Sequence, residues 1–282
     1  MKIGLVNAAQ LPERKVLLPP RLARPLVGAA VSAATLLILV WIGYLGVYDI
    51  QYAESIADDL LAGLVITLQA VAIVIPVGFV LGFLMGWART ARSWFLRVTG
   101  ATYVEFFRSM PPLVLIVFAS LIVTLIIRTY LNVEDPHLIA LSVGILALAL
   151  HSGSYQAEIV RAGLLSVPAG QVEAADALGL SRFQTMFRVT LPQAFRVSLP
   201  ALGNEFASVI KDTSLISAIG ALELSFRGTI LVRGALKLGL NHVFIIWVEV
   251  ALLYFVLTTV VTIIVRKVEN RSKVPGLEAA SL

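Results

Sequence analysis

Long apolar runs separated by short polar segments dominate the chain. A helix needs roughly 20 apolar residues to cross the hydrocarbon core of a bilayer. Most of the runs approach or exceed that length, and one is shorter and interrupted by prolines and glycines. The segments are 26–47, 60–87, 103–127, 138–155, an interrupted segment that ends near Ile219, and 242–265. The pattern predicts an all-α membrane protein with about six transmembrane helices.

Basic residues in the connecting segments predict which ends of these helices face the cytoplasm, because short cytoplasmic loops are enriched in Lys and Arg. The tail before residue 26 carries five basic residues and one acidic residue, whereas the segment 49–59 has four acidic residues and no basic one. The alternation places both termini and the long segment 158–196 inside. One segment disagrees, because the alternation places it outside although it is net positive; it contains Glu223, Arg227, Arg233 and Lys237.

Small residues recur every four positions in the second run, at Gly78, Gly82 and Gly86. A ridge of this kind lets a neighbouring helix approach closely. We therefore expect the second run to pack tightly against another helix along this ridge.

Composition supports the membrane assignment. Of the 282 residues, 59% are hydrophobic and only 14% are charged, unlike an ordinary soluble domain. The formal net charge is +5, but the basic residues lie between the apolar runs and form no continuous patch, so we expect no nucleic-acid partner. The chain has no cysteine, which excludes disulfides and thiolate metal sites.

Motifs of catalysis are missing from the sequence. It contains no G-x-x-x-x-G-K-[S/T] phosphate loop, no H-E-x-x-H zinc motif and no G-x-S-x-G nucleophile motif. The histidines, His137, His151 and His242, are scattered, and we expect them to be interfacial or packing residues. The sequence therefore predicts no active site, no metal site and no cofactor in this chain.

The polar segment after the fourth run predicts a helical elbow. Pro168 breaks the preceding helix, and residues 171–178 are rich in Ala and Leu. Glu173 lies in the first turn of this short helix, where a carboxylate suits the helix dipole. The small side chains of Ala174 and Ala175 leave room for the surface of a partner.

The second half of the elbow follows at once. Gly179 can end the first short helix, and Ser181 can cap a second one over 182–189. Leu191 and Pro192 are then expected to turn the chain back to the bilayer. From these residue types alone, an amphipathic helix lying on the membrane, or a plain intracellular loop, is an alternative.

The elbow also contains a spaced motif. From Glu173 to Pro192 it consists of Glu-Ala-Ala, three residues, Gly, nine residues, Val, one residue and Leu-Pro. This resembles the EAA loop of ABC-transporter permeases, with Val189 in the place of Ile as the one departure. The wider run over 155–193, followed by Lys-Asp-Thr-Ser-Leu at 211–215, is similar to the polar amino-acid uptake branch of that family. Residues 108–113 are similar to its F-R-G-T-P-L box, with Ser and Met replacing Gly and Thr.

The resemblance implies a domain organisation. It implies a five-helix type I importer permease core over 60–268, with a cytoplasmic coupling loop at 166–192. The helix at 26–47 is then an addition to the core, and 1–25 and 269–282 are cytoplasmic tails. The chain is expected to be a multi-pass protein of a prokaryotic plasma (inner) membrane.

The resemblance also implies partners. Nucleotide-binding ATPase subunits, which carry ATP and Mg, are expected to receive the elbow, so that their closure rocks the membrane helices. A second permease subunit, identical or a sister chain, an extracytoplasmic substrate-binding protein and membrane lipids complete the surroundings, and the substrate is expected to be a polar amino acid. The coupling residues that follow from the motif are Gln171, Glu173, Ala174, Ala175, Gly179, Leu191 and Pro192.

Polar residues on or just beyond the fifth run are candidates for the translocation path, because polar groups inside an apolar segment are costly unless they are paired or face water. On a helix, Asn204 and Lys211 share a face, and Glu205 precedes Ser208 by three residues on a neighbouring face. As an alternative, Lys211 and Asp212 form an ion pair that holds an outer gate. The expected path residues are Asn204, Glu205, Ser208, Lys211, Asp212, Thr213, Ser214 and, from another segment, Arg108.

Two other charged positions have simpler roles. Glu158 and Arg161 are three residues apart, and we expect a packing ion pair between them. Arg108 is expected either on the elbow or beside a carboxylate of the path.

Two other function classes remain open from the residues alone. A secondary transporter driven by an ion gradient also uses broken helices and polar residues at the midplane, but it needs neither the elbow nor an ATPase. A non-transporting membrane component is the other alternative. The particular amino acid stays open, since Glu205, Lys211 and Asp212 supply both signs of charge.

Overall fold

The structure is a computed structural model that describes residues 49–272. The helix predicted at 26–47, the tail 1–25 and residues 273–282 lie outside the described residues. The chain divides into two units, Met1–Asp49 and Ile50–Leu282, and the description below concerns the second.

Every regular element within residues 49–272 is a helix. The elements are α1 (Ile50–Ala88), α2 (Trp94–Ser109), α3 (Pro112–Leu131), α4 (Pro136–Leu165), α5 (Ala169–Ala177), α6 (Arg182–Thr185), a π-helical turn (Met186–Thr190), α7 (Leu191–Asp212), a 3₁₀ helix (Thr213–Ile219), α8 (Leu224–Ala235) and α9 (Leu240–Ser272). Of these, α1, α3, α4 and α9 are long and apolar enough to cross a membrane, and the bent pair Arg182–Ile219 and Leu224–Ala235 brings the described spans to as many as 5. The prediction of an all-α membrane protein is confirmed.

The third predicted span, 103–127, is wrong at its start. Helix α2 ends at Ser109, and α3 begins at Pro112. Met110 and Pro111 between them are extended, with ψ angles of 133° and 134°, because a residue that precedes proline is disfavoured in the helical region. Arg108 therefore lies at the end of a separate helix and not in the first turns of the span.

Helices α1 and α4 are longer than predicted. Helix α1 begins at Ile50, ten residues before the predicted start at 60, and α4 continues to Leu165, ten residues beyond the predicted end at 155. The extension of α4 carries Glu158, whose charge is balanced by two arginines. At the other end of the chain α9 runs to Ser272, so the first residues of the predicted tail 269–282 are helical.

The segment that was expected to be an outer loop contains helix α8. The Glu223 side chain caps it by accepting hydrogen bonds from the backbone N–H groups of Ser225 and Phe226, at 3.0 and 2.8 Å. Although its side chain is ionisable, Glu223 is 0% exposed, and the Tyr254 hydroxyl of α9 donates a further hydrogen bond to it at 2.7 Å. The Leu224 N–H donates to Thr67 Oγ1 of α1 at 3.2 Å. These contacts fix the start of α8 against two long helices.

An ion pair of Arg227 on α8 explains part of the conflict between the positive charge of this segment and its predicted outer location. Its guanidinium forms an ion pair with Asp59 of α1 at 3.3 Å. One of the positive charges that conflict with an outer location is thus balanced by a carboxylate of the acidic segment 49–59.

The predicted glycine ridge is confirmed, and its partner is α4. A Cβ atom built on Gly82 would lie 2.9 Å from the Gly153 carbonyl oxygen, and one on Gly86 would lie 2.5 Å from the Ala157 carbonyl oxygen. The backbones of α1 and α4 therefore approach each other closely, and this is the most extensive helix contact among the described residues. Helix α1 also contacts α8 and α9.

Candidate functional site

The first arm of the elbow is helix α5, which begins after Pro168 and ends at Ala177. Gln171, Glu173 and Ala174 are exposed on it, as a docking surface requires, but Ala175 is buried. Helix α5 contacts α6 and the π-helical turn. The expectation that Ala175 leaves room for a partner is therefore wrong for this chain alone, because its small side chain lets the two arms of the elbow pack together.

Two local features form the turn of the elbow, a left-handed backbone at Gly179 and a capping box that begins at Ser181. Gly179 has a φ of +75°, a left-handed conformation that favours glycine, and the following Leu180 N–H donates to the Ala175 carbonyl at 3.1 Å. Ser181 and Gln184 then form a capping box, in which Gln184 N–H donates to Ser181 Oγ at 3.3 Å and Ser181 N–H donates to Gln184 Oε1 at 2.8 Å. The predicted roles of Gly179 and Ser181 in shaping the elbow are confirmed.

The second arm differs from the prediction. Helix α6 has only four residues and passes through the π-helical turn directly into α7, so that Leu191 and Pro192 continue the helix and do not turn the chain. A proline lacks the N–H for the usual helical bond and clashes with the carbonyl one turn earlier. The wider π turn immediately before Leu191 accommodates this defect.

The tip of the elbow exposes apolar side chains. Leu178 is 82% exposed and Phe183 is 68% exposed. The Phe183 and Phe187 rings pack together with their centroids 4.4 Å apart. The centroids of the Phe187 and Trp87 rings are 6.4 Å apart, which places the tip beside α1. An exposed apolar patch rimmed by polar residues is typical of a protein interaction surface.

A cluster of arginines surrounds Glu158 beside the elbow. Arg161 Nε donates to Glu158 Oε1 at 3.0 Å, which confirms the predicted packing pair, and Arg89 forms a second ion pair with the other carboxylate oxygen. Arg108 Nη1 lies 4.0 Å from Glu158, and its guanidinium lies 4.9 Å from the centre of the Tyr155 ring. Arg108 therefore lies beside a carboxylate, but this carboxylate, Glu158, is not one of the residues predicted to line the path.

The polar face of α7 has the predicted register. Asn204 and Lys211 are both exposed, whereas Glu205, Ser208 and Asp212 are half-buried. Lys211 and Asp212 do not form an ion pair within 4.0 Å in the described part of the chain, since consecutive helical side chains point about 100° apart. A direct Lys211–Asp212 ion pair is therefore not observed in this conformation, although Lys211 still attracts the Asp212 carboxylate electrostatically.

The two hydroxyl residues at the end of this face are engaged locally. Buried Thr213 donates from Oγ1 to the Ile210 carbonyl at 2.6 Å, and Ser214 donates to the Lys211 carbonyl at 2.7 Å. Thr213 does not present its side chain to an open path, whereas half-buried Ser214 keeps a partly exposed position.

Asn204 borders a cleft of about 190 Å³ between α7 and α9. The cleft contains groups of both signs, supplied by Arg266 and Glu269 on α9. These two residues were missed in the sequence because they lie in the charged end of the last span, where basic residues are ordinarily topology signals. The lining residues are Pro200, Gly203, Asn204, Thr262, Val265, Arg266 and Glu269.

Glu205 is the other path candidate with a defined contact. Ser152 Oγ of α4 donates to its Oε1 at 2.7 Å, and Gln156 Nε2 donates to Ser152 Oγ at 2.9 Å. The positive charge of Arg108 attracts the Glu205 carboxylate, whereas the Asp212 carboxylate repels it. Sequence reasoning missed Ser152 and Gln156, although their spacing of four residues on an apolar helix was a usable signal.

The histidines have ordinary packing contacts. His137 Nδ1 is 2.7 Å from the Gly220 carbonyl oxygen, the His151 ring lies 5.1 Å from that of Tyr155, and the His242 ring lies 4.4 Å from that of Tyr52. Within residues 49–272, no group of three or more His, Asp or Glu side chains has the geometry of a metal site.

Comparison with known proteins decides the family. Residues 78–274 match the family described as the binding-protein-dependent transport system inner membrane component. The chain belongs to this family. It is 34% identical over 215 residues to the glutamine transport system permease protein of Escherichia coli, which covers 76% of this chain and 93% of that protein. It is also 34% identical over 222 residues to the L-cystine transport system permease protein of Bacillus subtilis, covering 77% and 88%.

Solved structures agree with the sequence relatives. The crystal structure of an amino acid ABC transporter with histidines superposes with a TM-score of 0.66 at 28% identity, covering 79% of this chain and 99% of that one. A chain of a methionine ABC transporter in an inward-facing conformation superposes at 0.65 with 21% identity, which shows the same fold.

Family membership confirms several expectations from the sequence. The chain is a permease subunit of an ABC importer and a multi-pass component of the inner membrane. Members of this family work with a binding protein and a separate ATPase. Nucleotide is bound by that ATPase, so the permease subunit is neither an enzyme nor a cofactor protein.

Proposed function

We propose that this permease imports polar amino acids, with the elbow as the point where the ATPase acts and the polar face of α7 as part of the path. The substrate class is supported by the relatives, which are described as permeases for glutamine, L-cystine, nopaline and octopine. Glutamine and L-cystine share a zwitterionic backbone and a polar side chain. The charges beside Asn204 and around Glu205 suit such a molecule.

The exposed apolar tip of the elbow carries the coupling part of the proposal. Leu178 and Phe183 would cost free energy if they stayed in water, at about 25 cal/mol per Å² of apolar surface, and exposed Gln171 and Glu173 supply a polar rim. Gly179 and the capping box hold the tip in one shape. A stiff, apolar, polar-rimmed tip suits a cleft of the ATPase.

Two substitutions test the coupling. Gly179→Asp adds a side chain and a charge at a left-handed position, and Glu173→Lys reverses a charge on the rim. Reconstituted with the ATPase and the binding protein in proteoliposomes, both variants should keep ATP hydrolysis but lose most of the amino-acid uptake that normally accompanies it. Gly170→Ala is the control, since an added Cβ there meets nothing within 4 Å. Normal uptake by both variants would contradict the assignment of the elbow.

The proposed path is formed by Asn204, Glu205, Ser208, Lys211, Asp212, Ser214 and Arg108. These side chains supply donors and acceptors for an ammonium and a carboxylate group. Asn204→Leu and Glu205→Leu should lower uptake and change selectivity among glutamine, histidine and arginine, while Val197→Leu, at an exposed apolar position of the same helix, should not. Unchanged uptake and selectivity in both polar variants would remove these residues from the path.

We further propose that both termini and the elbow face the cytoplasm and that the permease acts as a pair. Because the chain has no cysteine, single cysteines report topology directly. Leu178→Cys should resist a membrane-impermeant maleimide added from outside to intact cells, and Glu134→Cys should react with it. The opposite pattern would invert the topology. Cross-linking of two differently tagged copies would distinguish an identical pair from a pair of sister chains.

A further inference from the structure

Two successive hydrogen bonds link two residues of α4 to Glu205 on α7. The chain of bonds begins at Gln156, whose Nε2 donates to Ser152 Oγ at 2.9 Å, and continues with the Ser152 hydroxyl, which donates to Glu205 Oε1 at 2.7 Å. Gln156 is 0% exposed and Ser152 is 3% exposed. The Gln156 N–H and the Ser152 O–H thus both point along the chain of bonds toward the Glu205 carboxylate. Such an arrangement favours one position of the Glu205 side chain.

The space for Gln156 is created by the glycine ridge of α1. A Cβ atom built on Gly78 would lie 2.9 Å from Gln156 Nε2, and one on Gly82 would lie 2.7 Å from Gln156 Cβ. The side chain is therefore confined between α1 and its own helix α4. Its amide has little freedom to leave the Ser152 hydroxyl.

One polar atom of the Gln156 side chain is left unpaired among the described residues. Gln156 Oε1 is buried and has no hydrogen-bond partner among the described residues. An unpaired buried acceptor is destabilising, so an apolar side chain of the same length would suit packing alone better. Bulk packing thus does not explain an amide at this position, whereas a donor aimed at Ser152 does.

We propose that Ser152 and Gln156 are positioning residues, which hold the Glu205 carboxylate in the orientation that contacts the transported amino acid. The inference rests on the proposed function, because it needs Glu205 to line the path. Neither residue touches the substrate. Ser152 acts on Glu205 directly, and Gln156 acts through Ser152.

The test uses the complete transporter, with its ATPase and binding protein, in proteoliposomes. Uptake of L-glutamine, L-glutamate, L-histidine, L-arginine and L-cystine is measured first for the unmodified complex, and the best substrate is then used for every variant. Ser152→Ala should raise KM by about tenfold, as expected for the loss of a hydrogen bond to a charged group, with little change in kcat. Gln156→Met should raise KM in the same direction but by less, about threefold, because its bond is to the neutral Ser152 hydroxyl. Ser154→Ala is the matched control, because that buried hydroxyl bonds only to the His151 carbonyl of its own helix.

Two more measurements separate positioning from a structural role. In a Glu205→Gln background the effect of Ser152→Ala should shrink to about threefold or less, since the acceptor is then neutral. Gln156→Met should leave the thermal stability of the complex unchanged or higher, because it removes the unpaired acceptor. Gly78→Ala, which displaces the Gln156 amide from the α1 side, should raise KM in the same direction.

The outcomes are distinct. If the unmodified complex takes up none of the amino acids, the proposed function is wrong. If it transports but Ser152→Ala matches Ser154→Ala, or if the effect of Ser152→Ala is undiminished in the Glu205→Gln background, the positioning role is wrong and the proposed function stands.

Discussion

Replacement of Gly86 by alanine is the sharpest test of how the bundle is held together. The new Cβ atom would lie 2.5 Å from the Ala157 carbonyl oxygen and 3.0 Å from Val160 Cβ. A carbon atom and a carbonyl oxygen ordinarily approach no closer than about 3.3 Å. Helices α1 and α4 must therefore move apart locally by about 0.8 Å.

Two opposing contributions decide the size of the effect. Alanine is a better helix former than glycine by about 1 kcal/mol, which favours the variant. Overpacking of a tight contact costs about 1–3 kcal/mol, and a radial gap of about 0.5–1 Å loses a quarter to a half of the dispersion energy of the atoms that it separates. Because this helix contact is the most extensive one described, we expect a net loss of about 1–2 kcal/mol.

The measurement is the free energy of unfolding of the purified permease in mixed micelles, followed by far-UV circular dichroism during SDS titration. Gly234→Ala in α8 is the matched control, since its Cβ would meet nothing within 4 Å, and it should gain up to about 1 kcal/mol from helix propensity. If Gly86→Ala proves as stable as Gly234→Ala, the close approach of the two backbones does not exist in the protein.

Three further substitutions test other contacts. Glu223→Ala removes the cap of α8 and leaves the half-buried Tyr254 hydroxyl without its acceptor, so we expect a loss of about 2–3 kcal/mol in the same unfolding assay; an unchanged value would show that Glu223 is not buried. Glu158→Gln leaves Arg89 and Arg161 without a counter-charge in a partly exposed site, and about 1–2 kcal/mol should be lost, with the loss shrinking in an Arg89→Gln background. Ser181→Ala breaks the capping box and should cost about 1 kcal/mol locally, seen as faster amide exchange confined to 182–190; uniform exchange rates would contradict it.

Local signals explain which parts of the fold could be predicted. The elbow was predictable because Gly179 and Ser181 act on their immediate neighbours, and the spans were predictable because hydropathy is local. The continuous second arm was not, since Pro192 ordinarily ends a helix and the π turn that tolerates it has no simple sequence signal. The break at Pro111 was missed because hydropathy continues across it.

The buried polar contacts depend on residues far apart in the chain. Glu223 was assigned to a connecting segment because it lies between the fifth and sixth apolar runs. Its partners on α1 and α9 could not be identified from the sequence. The bond from Ser152 to Glu205 joins residues 53 positions apart. Sequence reasoning could mark Glu205 as a polar group in an apolar segment, but it could not identify what holds it.

The unbroken passage from α6 through the π turn into α7 has a mechanical consequence. Phe183 at the elbow and Glu205 on the polar face belong to one continuous helical segment, which includes the π turn and Pro200, and roughly 30 Å separates them at 1.5 Å per residue. A segment of that length is a lever: under the proposed coupling, a tilt of about 10° at the elbow displaces Glu205 by about 5 Å. Such a displacement exceeds the length of a hydrogen bond, so a tilt that left α4 in place would break the bond from Ser152 to Glu205.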